Sequence, residues 1–545
     1  MLRRCGLLVA LLIFITLLVF SNCLSFSFVW DDEHFILRNA YLTHPKFLPA
    51  LLTHNIVAGA GGISNLYRPL ESLTHFFDVQ AWGYHPWGHH LTTVLIHAAM
   101  LVVLFLWLRR VAPTPAAFVA TLLYGLHPMQ TELVAYIPGR CDTLGLLFML
   151  LAALAFRRRL WLSLLCAALA MASKENFVLT PLFILLTDRA QPQPAPWRRH
   201  IGLWLISAGY VLLRLTLLNF ANTLNFYGAE NLLTQHPEYR LLTYFTTLPA
   251  GFRLWLWPAD LHHERAWALY TSLLIPKVWT GALFLLAWLG LAAWLWRRSR
   301  MAAVGLLWFI AATLPTSNLI IIINALFYDH WFVVPGLGLA IAVSQLPLFR
   351  GRWQRHALIG GIALAAGLGW MTHRTTEVWR NGVTLNSHIL RFEPDNPKIM
   401  NNLAMALEGK GKTSDAIQLY QRAIRASDEY PQTHHNLARA YETQGRLDDA
   451  IVEYHRALTL DPRFYYSAIA LGRIRLSQGQ IAAATTKFQE AIAAYPYAAD
   501  AYLGLAQIRL NAGDRAGAIT ELRRGLAVVD DPRLRHQLSA LQSAK

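Results

Sequence analysis

Apolar runs long enough to cross the hydrocarbon core of a bilayer recur from Gly6 to about residue 374. No single soluble core uses so many. The chain is 55% hydrophobic over 545 residues. The expected spans lie near 6–28, 88–108, 113–127, 142–156, 160–173, 176–188, 201–218, 277–296, 301–320, 330–349 and 357–373. A further apolar stretch at 240–257 carries Arg253 and the tryptophans Trp255 and Trp257, which fits a re-entrant or interfacial helix better than a crossing. The first run follows Arg3 and Arg4 and ends on Phe26, Phe28 and Trp30. Aromatic residues of that kind suit a membrane interface, so it is expected to be retained as a helix and not removed as a signal peptide.

Charge orients the set. Arg3/Arg4, Arg109/Arg110, Arg157–Arg159, Arg189/Arg198/Arg199, Arg297/Arg298/Arg300 and Arg350/Arg352/Arg355 hold 16 basic residues, and their loops contain one carboxylate, Asp188. The positive-inside rule puts all of them on the cytoplasmic side if there are about 11 crossings. The amino terminus is then inside and the carboxyl terminus outside. The 28–88, 128–141, 219–240 and 321–330 segments are external. The net charge of +16 is therefore mainly a topology signal. Its basic residues sit in short turns and form no continuous face, so no nucleic-acid partner is expected. The four scattered cysteines show neither metal-ligand spacing nor a disulfide framework.

From Pro397 the composition becomes that of soluble helix, with a period of 34 residues: 397–430, 431–464, 465–498 and 499–532. Ala404, Ala438, Gly472 and Ala506 recur at one position. Gly411, Gly445, Gly479 and Gly513 mark the turn between helices. Ala416, Ala450, Ala484 and Ala518 mark a close helix approach, and Tyr420, Tyr454, Phe488 and Leu522 a wedge. The period is that of the tetratricopeptide repeat, so a superhelix with a peptide-binding groove is expected. Residues 533–545 would cap it, and 377–396 would form a helical junction to a membrane domain at 1–376. The fold class is all-α.

Only 14 carboxylates precede residue 377, and three are consecutive: Asp31, Asp32 and Glu33, between Trp30 and His34. External cations are Arg68, Arg140, Lys174 and Arg214, joined by His330. Glu132, Glu175, Asp329, His97 and His127 also lie in or beside external segments. Ionisable groups at membrane depth point to function by default, although a lone buried histidine such as His97 is more often a packed side chain than a ligand. Arg140 and Asp142 could pair with each other. Arg or Lys near the external interface would hold a phosphate, and Asp31 or Asp32 could act as the base for a hydroxyl nucleophile. The same two aspartates are the candidate ligands of a divalent metal, although an Asp-Asp pair is weak ground for one.

These motifs occur together in an ordered set: Trp30-Asp31-Asp32, Tyr67-Arg68-Pro69-Leu70, Trp87-Gly88-His89-His90-Leu91, Leu126-His127-Pro128 with Thr131-Glu132, Gly139-Arg140-Cys141-Asp142, Ser173-Lys174-Glu175, Leu256-Trp257-Pro258 and Leu314-Pro315-Thr316-Ser317-Asn318. In that combination, followed by the repeats, the chain resembles the transmembrane and tetratricopeptide-repeat O-mannosyltransferases and their bacterial relatives, members of the C-type glycosyltransferase class. The resemblance implies a polyprenyl-phosphate sugar as donor and a protein Ser or Thr hydroxyl as acceptor, guided by the repeats. It also implies an external, periplasmic site on a bacterial inner membrane, with Asp31 and Asp32 central to the chemistry. The chain departs from the pattern at Asp329-His330, where the family has Glu-Arg, and at Thr93, where it often has Asn, so mannose is not implied for this chain. Two other classes compete. A non-catalytic membrane scaffold predicts loss of the aspartate pair, which is present. A transporter predicts ionisable groups along both halves of the bundle, whereas here they cluster externally.

Overall fold

A computed structural model describes residues 2–60, 62, 64–220, 232–323, 325–529 and 531–543. Among these residues every regular element is helical. The chain divides into two compact units, residues 1–385 and 386–545.

In the first unit a helix stands at each of the eleven expected apolar stretches. By length and composition, Pro86–Leu108, Ile137–Ala155 and Pro276–Trp296 can each cross a membrane, and shorter apolar helices run at Cys5–Val19, Thr114–Gly125, Leu160–Ser173, Arg300–Thr316 and Asp329–Ser344. Several expected spans are therefore too long. The first helix ends at Val19, and a single turn at Ser21–Ser25 carries the chain onward. The 240–257 stretch lies almost wholly in one continuous helix, Pro237–Leu256. Half of the expected 219–240 loop, 221–231, lies outside the described residues, and its later part is helical at Leu232–Gln235 and from Pro237.

Phe14, Leu205, Leu286 and Trp370 face outward from their helices. Exposed apolar faces of this kind suit lipid as the surrounding solvent. Between helices, small residues set the spacing. A β-carbon on Gly338 would lie 2.1 Å from the carbonyl oxygen of Gly305 on the facing helix, so backbones touch where lipid supplies no hydrophobic drive for association. Trp255 locks a second junction: its ring stacks on Tyr124 at 5.5 Å and its indole N–H donates to the Phe332 carbonyl.

The second unit pairs Pro397–Glu408 with Thr413–Ala426, Pro431–Thr443 with Leu447–Leu460, Tyr465–Ser477 with Ile481–Ala494, and Ala499–Asn511 with Arg515–Val528, followed by Pro532–Ser543. The turn glycines 411, 445, 479 and 513 all have φ near +75°, a conformation that costs an L-residue about 1–2 kcal/mol. Tyr420 and Tyr454 are buried and donate to Glu408 and Glu442. In the third repeat Phe488 has no hydroxyl, and Leu476 stands where the glutamate would be. Its ring fills the space left by Gly472 and Gly504, where added β-carbons would approach it to 2.8 and 2.4 Å.

Gly338→Ala is expected to lower stability in detergent by about 1–3 kcal/mol through overpacking. Thermal unfolding of the purified variant beside wild type measures the loss, and an unchanged transition would show that the helices can separate freely.

Candidate functional site

The acidic run is shaped by a backbone kink. Trp30 has φ of 56°, a left-handed conformation unusual for a bulky residue and often found at functional sites. The next residues close a tight turn: the Val29 N–H donates to Asp32 Oδ2 at 2.7 Å, and the Asp32 N–H returns to the Val29 carbonyl. As a result the two aspartates face different surroundings. Asp32 is wholly buried and its other oxygen has no hydrogen-bond partner. Burial pushes its carboxyl well above the ordinary range against the opposing Val29 N–H, with Asp31 raising it further. Asp31 is half-buried and accepts the Tyr136 hydroxyl at 2.7 Å. Glu33 turns away to a surface pair with Arg38.

Around Asp31 stand residues brought from four distant segments. His263 meets Trp30 edge-on at 4.9 Å and lies 6.3 Å from the Tyr136 ring. Its Nδ1 is 2.9 Å from Glu132 Oε1, and the Nδ1 of His330 is 2.7 Å from the same oxygen. Burial alone would raise Glu132, but His330 and His263 hold it below the ordinary carboxylate range. Tyr328 stacks against both imidazoles, at 5.3 Å from His263 and 5.4 Å from His330, whose rings lie 6.1 Å apart. Trp379 stacks on Tyr136 at 5.2 Å. Asp329 anchors the group, since Arg265 donates to it at 2.8 and 3.0 Å and the His262 N–H at 3.1 Å.

Three of the expected phosphate-binding cations are already paired with carboxylates. Arg140 has no exposure and lies 2.5 Å from Asp78. Lys174 takes Asp142 at 2.6 Å, so Arg140 and Asp142 do not pair with each other. Arg68 takes Glu175 at 3.2 Å and Glu71 at 3.7 Å. Three cations thus meet five carboxylates once Asp32, which feels Arg140 and Glu71, is included. The surplus falls on Asp32 and Glu71, the two carboxyls that burial pushes up, Glu71 to about 8. With both protonated the network is neutral, which is the low-cost state for charge removed from water. Arg214 differs: it donates to the Leu218 and Asn65 carbonyls, and among the described residues no carboxylate pairs with it.

His97 is a core side chain, bonded to the Gly125 carbonyl at 3.1 Å and set against Phe20. His127 likewise bonds the Trp255 carbonyl and caps the next turn. Residue type and spacing do not single out Tyr136, His263, Tyr328 or Arg265. The polar run His262-His263-Glu264-Arg265, directly after an apolar helix, is the signal that could have found two of them. A groove of about 380 Å³ adjoins Arg265 and is lined by Arg253, Lys277, Pro249, Leu254, Trp267 and Phe327 among others.

Two outcomes test the buried network. Arg140→Gln is expected to destabilise by about 3–5 kcal/mol, because it strands Asp78; adding Asp78→Asn should recover much of that in a double-mutant cycle. Glu71 holds its proton more tightly folded than unfolded, so the stability it contributes is present below about 4.5 and is lost as pH rises toward 8. Glu71→Gln should therefore gain melting temperature relative to wild type between pH 5 and 9, and a pH-independent difference would rule out the shifted carboxyl.

Comparison with known proteins places the chain. The tetratricopeptide repeat family matches residues 388–432, 401–464 and 475–541. The protein O-mannosyl-transferase TMTC1 of Homo sapiens is 25% identical over 516 residues, 78% of this chain and 56% of that one. The Drosophila melanogaster protein O-mannosyl-transferase Tmtc1 is 28% identical, covering 52% of this chain and 37% of its own length. TMTC4 of Mus musculus is 26% identical, covering 75% and 65%. The chain thus spans between about a third and two thirds of these relatives' length. Among solved structures, a thermophilic tetratricopeptide-repeat protein of Thermus thermophilus is 18% identical with a TM-score of 0.27, covering 35% of this chain and 98% of that one. The chain is a relative of the transmembrane and tetratricopeptide-repeat O-mannosyltransferase family.

Proposed function

We propose that this chain is an integral-membrane glycosyltransferase that moves a sugar from a polyprenyl-phosphate donor to a Ser or Thr hydroxyl of a protein on the external face of a bacterial inner membrane. The observation that carries the reading is the position of Asp31. It is half-buried, oriented by Tyr136 at 2.7 Å, and set beside an imidazole and carboxylate group. Asp31 takes the proton of the acceptor hydroxyl as its oxygen bonds to the anomeric carbon. The bond from that carbon to the phosphate oxygen breaks, and the lipid phosphate leaves with the electron pair. The anomeric configuration inverts.

Asp32 acts differently in this reading. Buried and neutral, it closes the turn that aims Asp31 and is a positioning residue. The donor's phosphate and apolar tail suit the groove that combines Arg253, Arg265 and Lys277 with Leu254, Trp267 and Phe327, because an anionic amphiphile needs both kinds of wall. Arg214 remains a second candidate for the phosphate. Arg68, Arg140 and Lys174 support the loops by neutralising their carboxylates. The repeats guide the acceptor. The relatives' names make mannose the first sugar to test.

Transfer from polyprenyl-phosphate mannose to an acceptor peptide, assayed in membranes, decides the assignment. Asp31→Asn is expected to lower the rate about 10²–10⁴-fold with unchanged membrane insertion, and full activity would sink the reading. Asp32→Asn, whose amide oxygen can still accept from Val29, should retain far more. Deleting 397–545 should impair protein acceptors more than the peptide, and glycoproteomics with and without the enzyme gives sugar mass and acceptor together.

A further inference from the structure

Two groups of side chains in the first unit bring three potential metal ligands within 4.8 Å of one another: His75, Asp78 and His89, and Glu132, His263 and His330. They differ in what already balances the carboxylate. Asp78 receives the Arg140 guanidinium at 2.5 Å and the Thr92 hydroxyl at 2.6 Å. A cation therefore already sits there, and it is the protein's own. Glu132 has no such partner: among the described residues its ion pairs are with His263 and His330 alone.

The geometry of the second group departs from that of a simple hydrogen-bonded triplet. The Nδ1 of His330 lies 2.7 Å from Glu132 Oε1, yet it is buried and makes no hydrogen bond. Close approach without a hydrogen bond leaves that nitrogen's donor capacity unused beside the carboxylate. His263 brings its own Nδ1 to 2.9 Å from the same oxygen. Ligands about 2.0–2.1 Å from a tetrahedral zinc lie roughly 3.3 Å apart, so each nitrogen would need to move from the Glu132 oxygen by only about half an ångström. The rings are held in place from behind. Tyr328 stacks against both imidazoles, and the Arg265–Asp329 pair and the His262 N–H fix the two segments that carry them. The side chains keep a little exposure, 12% for Glu132 and 17% for His330, which leaves a path for an ion.

We propose that Glu132, His263 and His330 form a binding site for a divalent transition metal of the zinc class. Two imidazoles and one carboxylate are a donor set that zinc accepts, with a fourth position open to water or an anionic oxygen. The site adjoins Asp31, but metal binding by itself tests it, whatever the outcome of the transfer assay.

The full chain, purified in detergent without a histidine tag, is stripped with a chelator and titrated with zinc chloride. One equivalent is expected to bind, to raise the melting temperature, and to show two imidazoles and an oxygen shell by X-ray absorption at the zinc edge. Cobalt substitution should produce a visible band. His263→Gln and His330→Gln should each weaken binding by on the order of 100-fold or more and abolish the band, whereas the exposed His34→Gln should bind as wild type does. Failure of wild type to bind zinc, or equal binding by the His263 and His330 variants, would overturn the proposal. Should those variants fail to fold, the X-ray absorption spectrum of wild type decides alone: a shell without imidazole overturns it.

Discussion

Charge buried in apolar surroundings must be balanced, and the polar end of the first unit is organised by that requirement. Arg140 on Asp78, Lys174 on Asp142 and Arg68 on Glu175 tie together segments separated by between 32 and 107 residues. The first two pairs are hidden from water, where an unmatched partner is far costlier than on a surface, while Glu175 of the third keeps part of its side chain exposed. Two further carboxyls, Asp32 and Glu71, are pushed toward their neutral forms by burial, and their protons complete the balance. The frame they make is stiff because no member can leave it alone.

That frame positions the reactive end without supplying its chemistry. The left-handed Trp30 and the ring closed by Val29 and Asp32 send neighbouring aspartates into different environments. Asp31 alone reaches the group built from Tyr136, Glu132, His263 and His330. Three of the four cations that residue types select for phosphate, Arg68, Arg140 and Lys174, are already used as struts. The groove beside Arg265 sets Lys277 next to an apolar wall, with Arg253 and Arg265 held by Asp260 and Asp329.

The second unit shows how a local change is absorbed by its neighbours. Two repeats hold a buried tyrosine to a glutamate, whereas the next replaces both and fills the space with a phenylalanine ring over two glycines. The repeat survives because each helix pair depends on the shape of the wedge position and not on one hydrogen bond.

The amino-acid sequence by itself determined the all-helical class, the helix at each apolar stretch, and the repeat helices with their turn glycines and buried alanines. Such features follow from periodicity and local backbone preference, which are written in short windows. It also singled out the acidic run and the surrounding polar motifs. Only the tertiary structure decided their roles. Arg140 and Asp142 are near neighbours that take different partners, Asp32 is hidden while Asp31 is open, and His97 and His127 are packing residues. His263 and Tyr136 gain significance solely from whom they meet. Pairing and burial are set by contacts across long stretches of chain, and residue type and spacing carry no record of which distant group arrives at which side chain.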